Sequence, residues 1–283
     1  MKLPFNLDLK GKTVVITGGG GVLCGTFAKA LGECKANIAI LDLNKESAQK
    51  VADEINSNGG SAKGYEANVL QKASLEAARD KILADFGTCD ILINGAGGNN
   101  PRATTTNDYF DKADLAKEDV KTFFDLDPDG VEFVFNLNFL GTLIPTQVFA
   151  ADLVEKDDAS IINISSMNAF TPLTRIPAYS GAKAAISNFT QWLAVHFSKT
   201  NIRVNAIAPG FFLTNQNRAL LIDENGNYTA RSQKILSQTP MDRFGSPDEL
   251  IGALLFLISK DASSFVNGIV IPVDGGFSAY SGV

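Results

Sequence analysis

Seven short runs rich in Val, Ile, Leu and Ala alternate with stretches of helical character along the chain: KTVVITG, NIAILDL, KGYEANV, CDILINGAG, SIINISS, IRVNAIAPG and GIVIPVDGG. Runs so nearly continuous in apolar residues suit strands covered on both faces, not strands with one face in water. Joining such strands through helices calls for right-handed crossovers and a parallel sheet. The spacing predicts helices over roughly 22–35, 45–58 and 71–86, another containing Asn138, and one beginning near Pro177. The expected class is α/β. No internal repeat or linker-like boundary divides residues 1–283, so a single domain is the economical reading.

Composition excludes several function classes. With 45% hydrophobic and 20% charged residues, 283 residues can bury an ample core. A net charge of −6 argues against a general nucleic-acid or anionic-membrane surface, although a local Arg can still reverse the sign inside a pocket. The three cysteines form no C-x-x-C pair and His196 is the one histidine, so no metal site is expected. MKLPFNLDLKGK lacks the apolar core of a signal peptide, and no stretch reaches about 18 consecutive apolar residues. The expectation is a soluble cytoplasmic protein.

Two polar excursions break the rhythm, at 99–129 and 211–246. In open parallel sheets the ligand lies beyond the carboxyl ends of the strands, where both excursions leave. They read either as substrate walls or as surface decoration.

The stretch TGGGGVLCG, residues 17–25, ends the first strand and opens into an amphipathic helix. There, backbone N–H groups and the helix dipole can face a pyrophosphate. The second strand ends at Asp42, 24 residues after Gly18, where an acid can bond ribose hydroxyls and repel a 2′-phosphate. That favours NAD over NADP. The plainer alternatives are a strained turn without ligand and an acid at a helix N-terminus.

Tyr179 and Lys183 stand four residues apart in a helix-forming segment and share one face. A phenol is a poor acid or base at neutral pH, and a neighbouring ammonium favours its phenolate. Ser166, thirteen residues earlier at a strand end, can hold a carbonyl oxygen while the tyrosine exchanges its proton. Asn138 can anchor a water behind the lysine. Singly these residues read as a core aromatic, a solvated charge, a turn former and a cap; in series they point to catalysis.

From end to end the chain resembles the short-chain dehydrogenase/reductase family. The resemblance rests on TGGGG at 17–21, Asp42, NGAG at 94–97, Asn138, Ser166, Tyr179 with Lys183, and APGFFLT at 208–214, with RFGSPDEL and VDGGFS near the carboxyl end. It implies a single Rossmann-type domain with a doubly wound seven-stranded parallel sheet, usually assembled as a homotetramer. It implies NAD(H) held by Gly18, Gly20, Gly21, Val22 and Leu23, by Asp42 and Leu43, and by Asn68 and Val69. Asn94, Ala96 and Gly97 would follow, then Tyr179 and Lys183, then Pro209, Gly210, Phe212 and Thr214. The cofactor half would span about 1–165, with substrate elements at about 99–129, 166–178 and 211–246. Three departures stand out: Val22 and Cys24 occupy places where the family shows later glycines, Asn68 replaces a usual Asp, and Gly95 replaces the second Asn of N-N-A-G. Gly25 is placed to offset the loss at Cys24.

Around the carbonyl site, Asn99, Asn100, Asn168 and Arg175 would add amides and a guanidinium, which suit a polyhydroxylated acid better than a steroid or acyl chain. As surface Arg and turn-forming Asn they would be bland. The wider wording, including NGAGGNNP, SSMNAF and LTRIPAYS, resembles the D-mannonate oxidoreductase (fructuronate reductase) subfamily. That implies reversible reduction of D-fructuronate to D-mannonate, with Asn100, Ser166, Asn168, Arg175 and Tyr179 at the substrate. The alternatives are another sugar-acid or polyol dehydrogenase, such as a gluconate 5-dehydrogenase, and a non-catalytic NAD-sensing protein.

Overall fold

Strand residues of opposite parity face opposite sides of the sheet, and that alternation divides the interior in two. The computed structural model describes residues 7–214 and 217–282. Its strands are β1 (Thr13–Thr17), β2 (Asn37–Asp42), β3 (Ser61–Glu66), β4 (Ile91–Asn94), β5 (Ala159–Ile164), β6 (Ile202–Pro209) and β7 (Val270–Val273). All pair in parallel, in the order β3-β2-β1-β4-β5-β6-β7. Each of the seven apolar runs forms a strand. β1, β4, β5 and β6 are buried throughout, which explains why their sequences show no polar face.

On one side Val14, Ile16, Ile38 and Ile40 pack with Phe27 and Leu31 of α1 (Val22–Glu33), and with Ile55 of α2 (Lys45–Ser57). On the other side Val15, Leu41, Leu92 and Ile161 meet Leu75 and Ile82 of α3 (Lys72–Phe86). The helix that carries Asn138 runs from Pro128 to Leu153, as α4 (Pro128–Phe135), a π turn (Asn136–Leu140) and α5 (Gly141–Leu153). By length and composition this helix could cross a membrane, although no long unbroken apolar run marks it in sequence; half of its apolar window is buried inside the domain. α6 (Pro177–His196) carries Tyr179 and Lys183.

From β1 the chain runs outward to β2 and β3, then crosses back to β4 on the other flank of β1, and a crevice opens at the carboxyl ends where the order reverses. The 99–129 excursion follows β4 as three short 3₁₀ turns, Pro101–Ala103, Lys112–Ala116 and Phe123–Asp125. Within 211–246, of which residues 215 and 216 lie outside the described set, stand α7 (Arg218–Leu221) and α8 (Ala230–Leu236). This segment has a small core of its own, made by Leu221, Ile235, Leu236 and Phe244. Two further helices, α9 (Ile251–Ile258) and α10 (Lys260–Ser263), precede β7.

Candidate active site

The turn after β1 is shaped by close approach. Gly18 has φ +65°, and a Cβ there would stand 2.9 Å from the Ala96 backbone. Only glycine lets the two loops cross at that distance in that conformation. Gly21 caps α1 with no side-chain hydrogen bond, and the first turn holds no acid. The α1 N-terminus thus offers its backbone donors and its positive dipole end to an external anion. Asp42 closes β2 beside it, accepting from Gly20 N at 3.1 Å and Asn44 N at 3.0 Å. Its remaining lone pairs are the natural acceptors for ribose hydroxyls.

Of the residues named from sequence, Gly18, Gly21, Val22, Leu23, Asp42, Ala96 and Gly97 line a single cavity of about 390 Å³. Ser166, Tyr179, Lys183, Pro209 and Gly210 line the same cavity. One chamber therefore joins the glycine turn to the Tyr-Lys pair. Strand ends, a glycine turn and a free helix N-terminus fit a dinucleotide.

The others stand apart from that lining. Gly20 and Leu43 flank Asp42, and Leu43 is exposed. Asn68 Oδ1 accepts from Leu70 N, fixing the turn before buried Val69. Asn94 spends its amide inside the protein, donating to Thr146 Oγ1 and Asn163 Oδ1, both at 2.9 Å. Phe212 packs on Gly245, while Thr214 and Asn217 exchange hydrogen bonds.

Tyr179 rests on Ala103, Val134, Ala178 and Ala182. Lys183 Nζ lies 5.6 Å from its ring centre and donates to Ile164 O at 2.8 Å. Burial pushes the Tyr179 phenol up, and hydrogen bonding with Ser166 draws it partly back. Burial also lowers Lys183 to about 8. Of the groups around the phenol, Ser166 is the one that draws it toward the phenolate, against the effect of burial.

Asn138 also differs from expectation. It is fully buried, and its Nδ2 donates to Gly98 O and Val134 O, each at 2.8 Å, while Gly98 N reaches Oδ1 at 3.3 Å. Its amide clamps the loop after β4 to the helix. The π turn presents it inward, and Pro145 in the next turn removes the bond that Gly141 O would receive. Gly97 fits between this clamp and the lysine, since a Cβ there would stand 2.6 Å from Asn138 Oδ1 and 3.2 Å from Lys183 Nζ.

Cys24, Gly95, Gly98, Ile164 and Ser165 line the cavity without having been singled out as ligand residues. The first two explain each other. A Cβ on Gly95 would collide with Cys24 Sγ and stand 2.9 Å from Thr17 O. The thiol fills the space that a side chain at 95 would need. The signal was present in sequence as two departures in opposite directions, a residue gained at 24 and one lost at 95.

On the substrate side, Asn168 is 4% exposed and its Oδ1 has no hydrogen-bond partner among the described residues. Its N–H donates to Ser166 Oγ at 3.2 Å. Arg175 lies on the exposed side of the same segment, its Nε donating to Thr105 O at 3.0 Å. Asn99 Nδ2 donates to Thr104, and Asn100 Oδ1 caps the first 3₁₀ turn.

Known proteins place this geometry in context. The short chain dehydrogenase family matches residues 12–225. An uncharacterised oxidoreductase of Haemophilus influenzae is 65% identical over all of this chain and 99% of its own length. A Haemophilus crystal structure with bound NAD, provisionally named a D-mannonate oxidoreductase, is 65% identical with a TM-score of 0.95, covering 98% of this chain and 99% of that one. A gluconate 5-dehydrogenase of Burkholderia cenocepacia, solved with NADP and tartrate, is 32% identical with a TM-score of 0.81, covering 97% and 98%.

Proposed function

The chain belongs to the short-chain dehydrogenase family, and on that footing we propose that it catalyses the reversible, NAD(H)-dependent reduction of D-fructuronate to D-mannonate. When bound, the nicotinamide supplies or accepts the hydride. Ser166 holds the substrate oxygen, and Tyr179 gives that oxygen its proton in reduction or removes it in oxidation. Lys183 stays close to the phenol, and Asn138 fixes the loop at Gly97 and Gly98 that borders both.

Asn168 carries the sugar-acid reading. A buried amide oxygen without a partner costs about 1–3 kcal/mol, and a substrate hydroxyl next to the Ser166-bound carbonyl would satisfy it. A steroid or acyl chain would leave it unpaired. Arg175 spends Nε on Thr105 O, and among the described residues its terminal nitrogens have no hydrogen-bond partner, which leaves them for a carboxylate. The similarity to a Haemophilus protein provisionally named for D-mannonate points the same way. The Burkholderia neighbour favours a second reading, a gluconate 5-dehydrogenase.

A panel of keto-uronates, keto-gluconates and neutral keto-sugars, followed by NADH absorbance, separates these readings. D-Fructuronate is expected to be turned over best. Arg175→Met should lower kcat/KM for the uronate by about tenfold, well short of a buried ion pair because Arg175 is exposed, and should barely affect a neutral keto-sugar. Equal losses for both would remove Arg175 from the substrate.

Cofactor choice rests on Asp42. NADH should be preferred over NADPH in titrations followed by fluorescence, and Asp42→Ala should weaken NADH while leaving NADPH unchanged or improved. Equal affinity of the wild-type chain for both would refute this.

The cofactor half would take in about 1–165, with substrate elements at about 99–129, 166–178 and 211–246. Phe133 and Phe135 of α4 and Trp192 and Val195 of α6 are each exposed, apolar side chains of the kind that a homotetramer would cover. A cytoplasmic location suits a sugar-acid reductase that draws on NADH.

A further inference from the structure

Ile164 ends β5, and it and the two serines after it each hold α6 at a different atom. Ile164 O accepts from Lys183 Nζ at 2.8 Å, and Ser165 Oγ donates to the Lys183 carbonyl at 3.2 Å. Ser166 hydrogen bonds with Tyr179. The end of one strand thus grips the lysine by its head and by its backbone.

Ser165 is 2% exposed, and although it lines the cofactor cavity its hydroxyl is turned to the helix. Its Oγ lies 2.7 Å from Ser187 Oγ, and Ser187 Oγ donates to the same Lys183 carbonyl at 3.3 Å. Ser187 alone would be an ordinary bond back along the helix to the residue four places earlier. A second hydroxyl arriving from the sheet is not, and it ties that turn of α6 to β5. The sheet side of this bracket is itself held, because Ser165 N donates to Ile207 O of β6 at 2.8 Å. A lysine stem is flexible, so a fixed backbone is what keeps its ammonium at one place.

We propose that Ser165, together with Ser187, is a positioning residue that fixes the Lys183 turn of α6 against the end of β5 and so keeps the ammonium beside the Tyr179 phenol during turnover. The role rests on the reading that Tyr179 and Lys183 carry the proton transfer. Ser165 needs no contact with the substrate, since it acts through the lysine. Without its hydroxyl, Ser187 still bonds the carbonyl, but nothing from the sheet does. The turn is then free to shift, and the ammonium with it.

Single-turnover reduction of the best sugar acid by bound NADH, measured in two backgrounds, tests this. Ser165→Ala should slow the step by about three- to tenfold, the net contribution of one intramolecular hydrogen bond, with steady-state KM within about twofold. Ser165→Thr keeps a hydroxyl and should recover most of the rate. Ser187→Ala should lose about two- to threefold. In a Lys183→Ala background, Ser165→Ala should change the residual rate by less than about twofold, because the group it positions is gone. An equal loss in both backgrounds would overturn the role, as would an unchanged rate in Ser165→Ala. Should Ser165→Ala fail to fold, Ser187→Ala in the same two backgrounds makes the same comparison. If no sugar acid is turned over, the proposed substrate falls, and hydrogen exchange of the α6 amides decides the bracket. Ser165→Ala or Ser187→Ala should then speed exchange at residues 183–188 by about two- to fivefold, and unchanged exchange would overturn it.

Discussion

Tyr179→Phe is expected to lose about 10²–10⁴-fold in kcat while NADH affinity stays within about twofold. The substitution removes one hydroxyl, the group hydrogen-bonded with Ser166, and leaves the ring on its seat of Ala103, Val134, Ala178 and Ala182. Lys183 keeps its bond to Ile164 O, so the cleft retains its shape. Single-turnover reduction with bound NADH, read beside a fluorescence titration, separates lost chemistry from lost binding. Loss of NADH binding would make the residue structural. The pH dependence follows from the direction of the phenol's shift. Oxidation needs the phenolate, and burial raises the Tyr179 pKa above its ordinary 10.0. The chemical step of oxidation should therefore keep climbing between about pH 7 and 10, by up to about tenfold per unit. A plateau near neutrality would mean that the assembled complex lowers the phenol, and would return that role to Lys183.

Gly95→Asn is expected to cost about 1–3 kcal/mol of stability and to weaken NADH binding sharply. Any side chain there meets Cys24 Sγ and the Thr17 carbonyl, both in the floor of the crevice. Cys24→Gly removes the thiol and should rescue much of the loss, so the double variant should be more stable than Gly95→Asn alone. Cys24→Gly by itself should also destabilise, through the void and the flexible residue it places in α1. Denaturant unfolding of the four proteins gives the coupling energy directly. Strict additivity would show that the two positions do not compensate.

Much of this arrangement was legible from residues alone. β1, β4, β5 and β6 were plain as strands because parallel strands covered on both faces carry no polar alternation to obscure them, whereas the edge strand β3 exposes Lys63 and Glu66. Tyr179 and Lys183 were readable because one helical turn separates them, and Ser166 because it ends an apolar strand. Properties set by three-dimensional packing were not readable. The inward turn of Asn138 depends on a π turn, and the same residues would also suit an ordinary helix. The upward shift of the Tyr179 phenol reflects burial, whereas its sequence neighbours suggested charge. Ser165 and Ser187 are far apart in the chain and ordinary in type, so nothing local marks them as partners. Asn94 looked like a cofactor ligand because of where it stands, but its amide turns inward toward Thr146 and Asn163.

The strand order also bears on how the polypeptide is assembled as it leaves the ribosome. β1, β2 and β3 build outward in one direction, and β4 then docks on the free flank of β1. From β4 onward each new strand adds to the edge left by the one before it. No late strand has to be threaded between two that are already paired, so the sheet can accrete in the order of synthesis. The four strands that end with Asn94 include both sides of the glycine turn, and all of them are made long before Tyr179 is translated. A nascent chain can thus possess its nucleotide floor well before it possesses its acid.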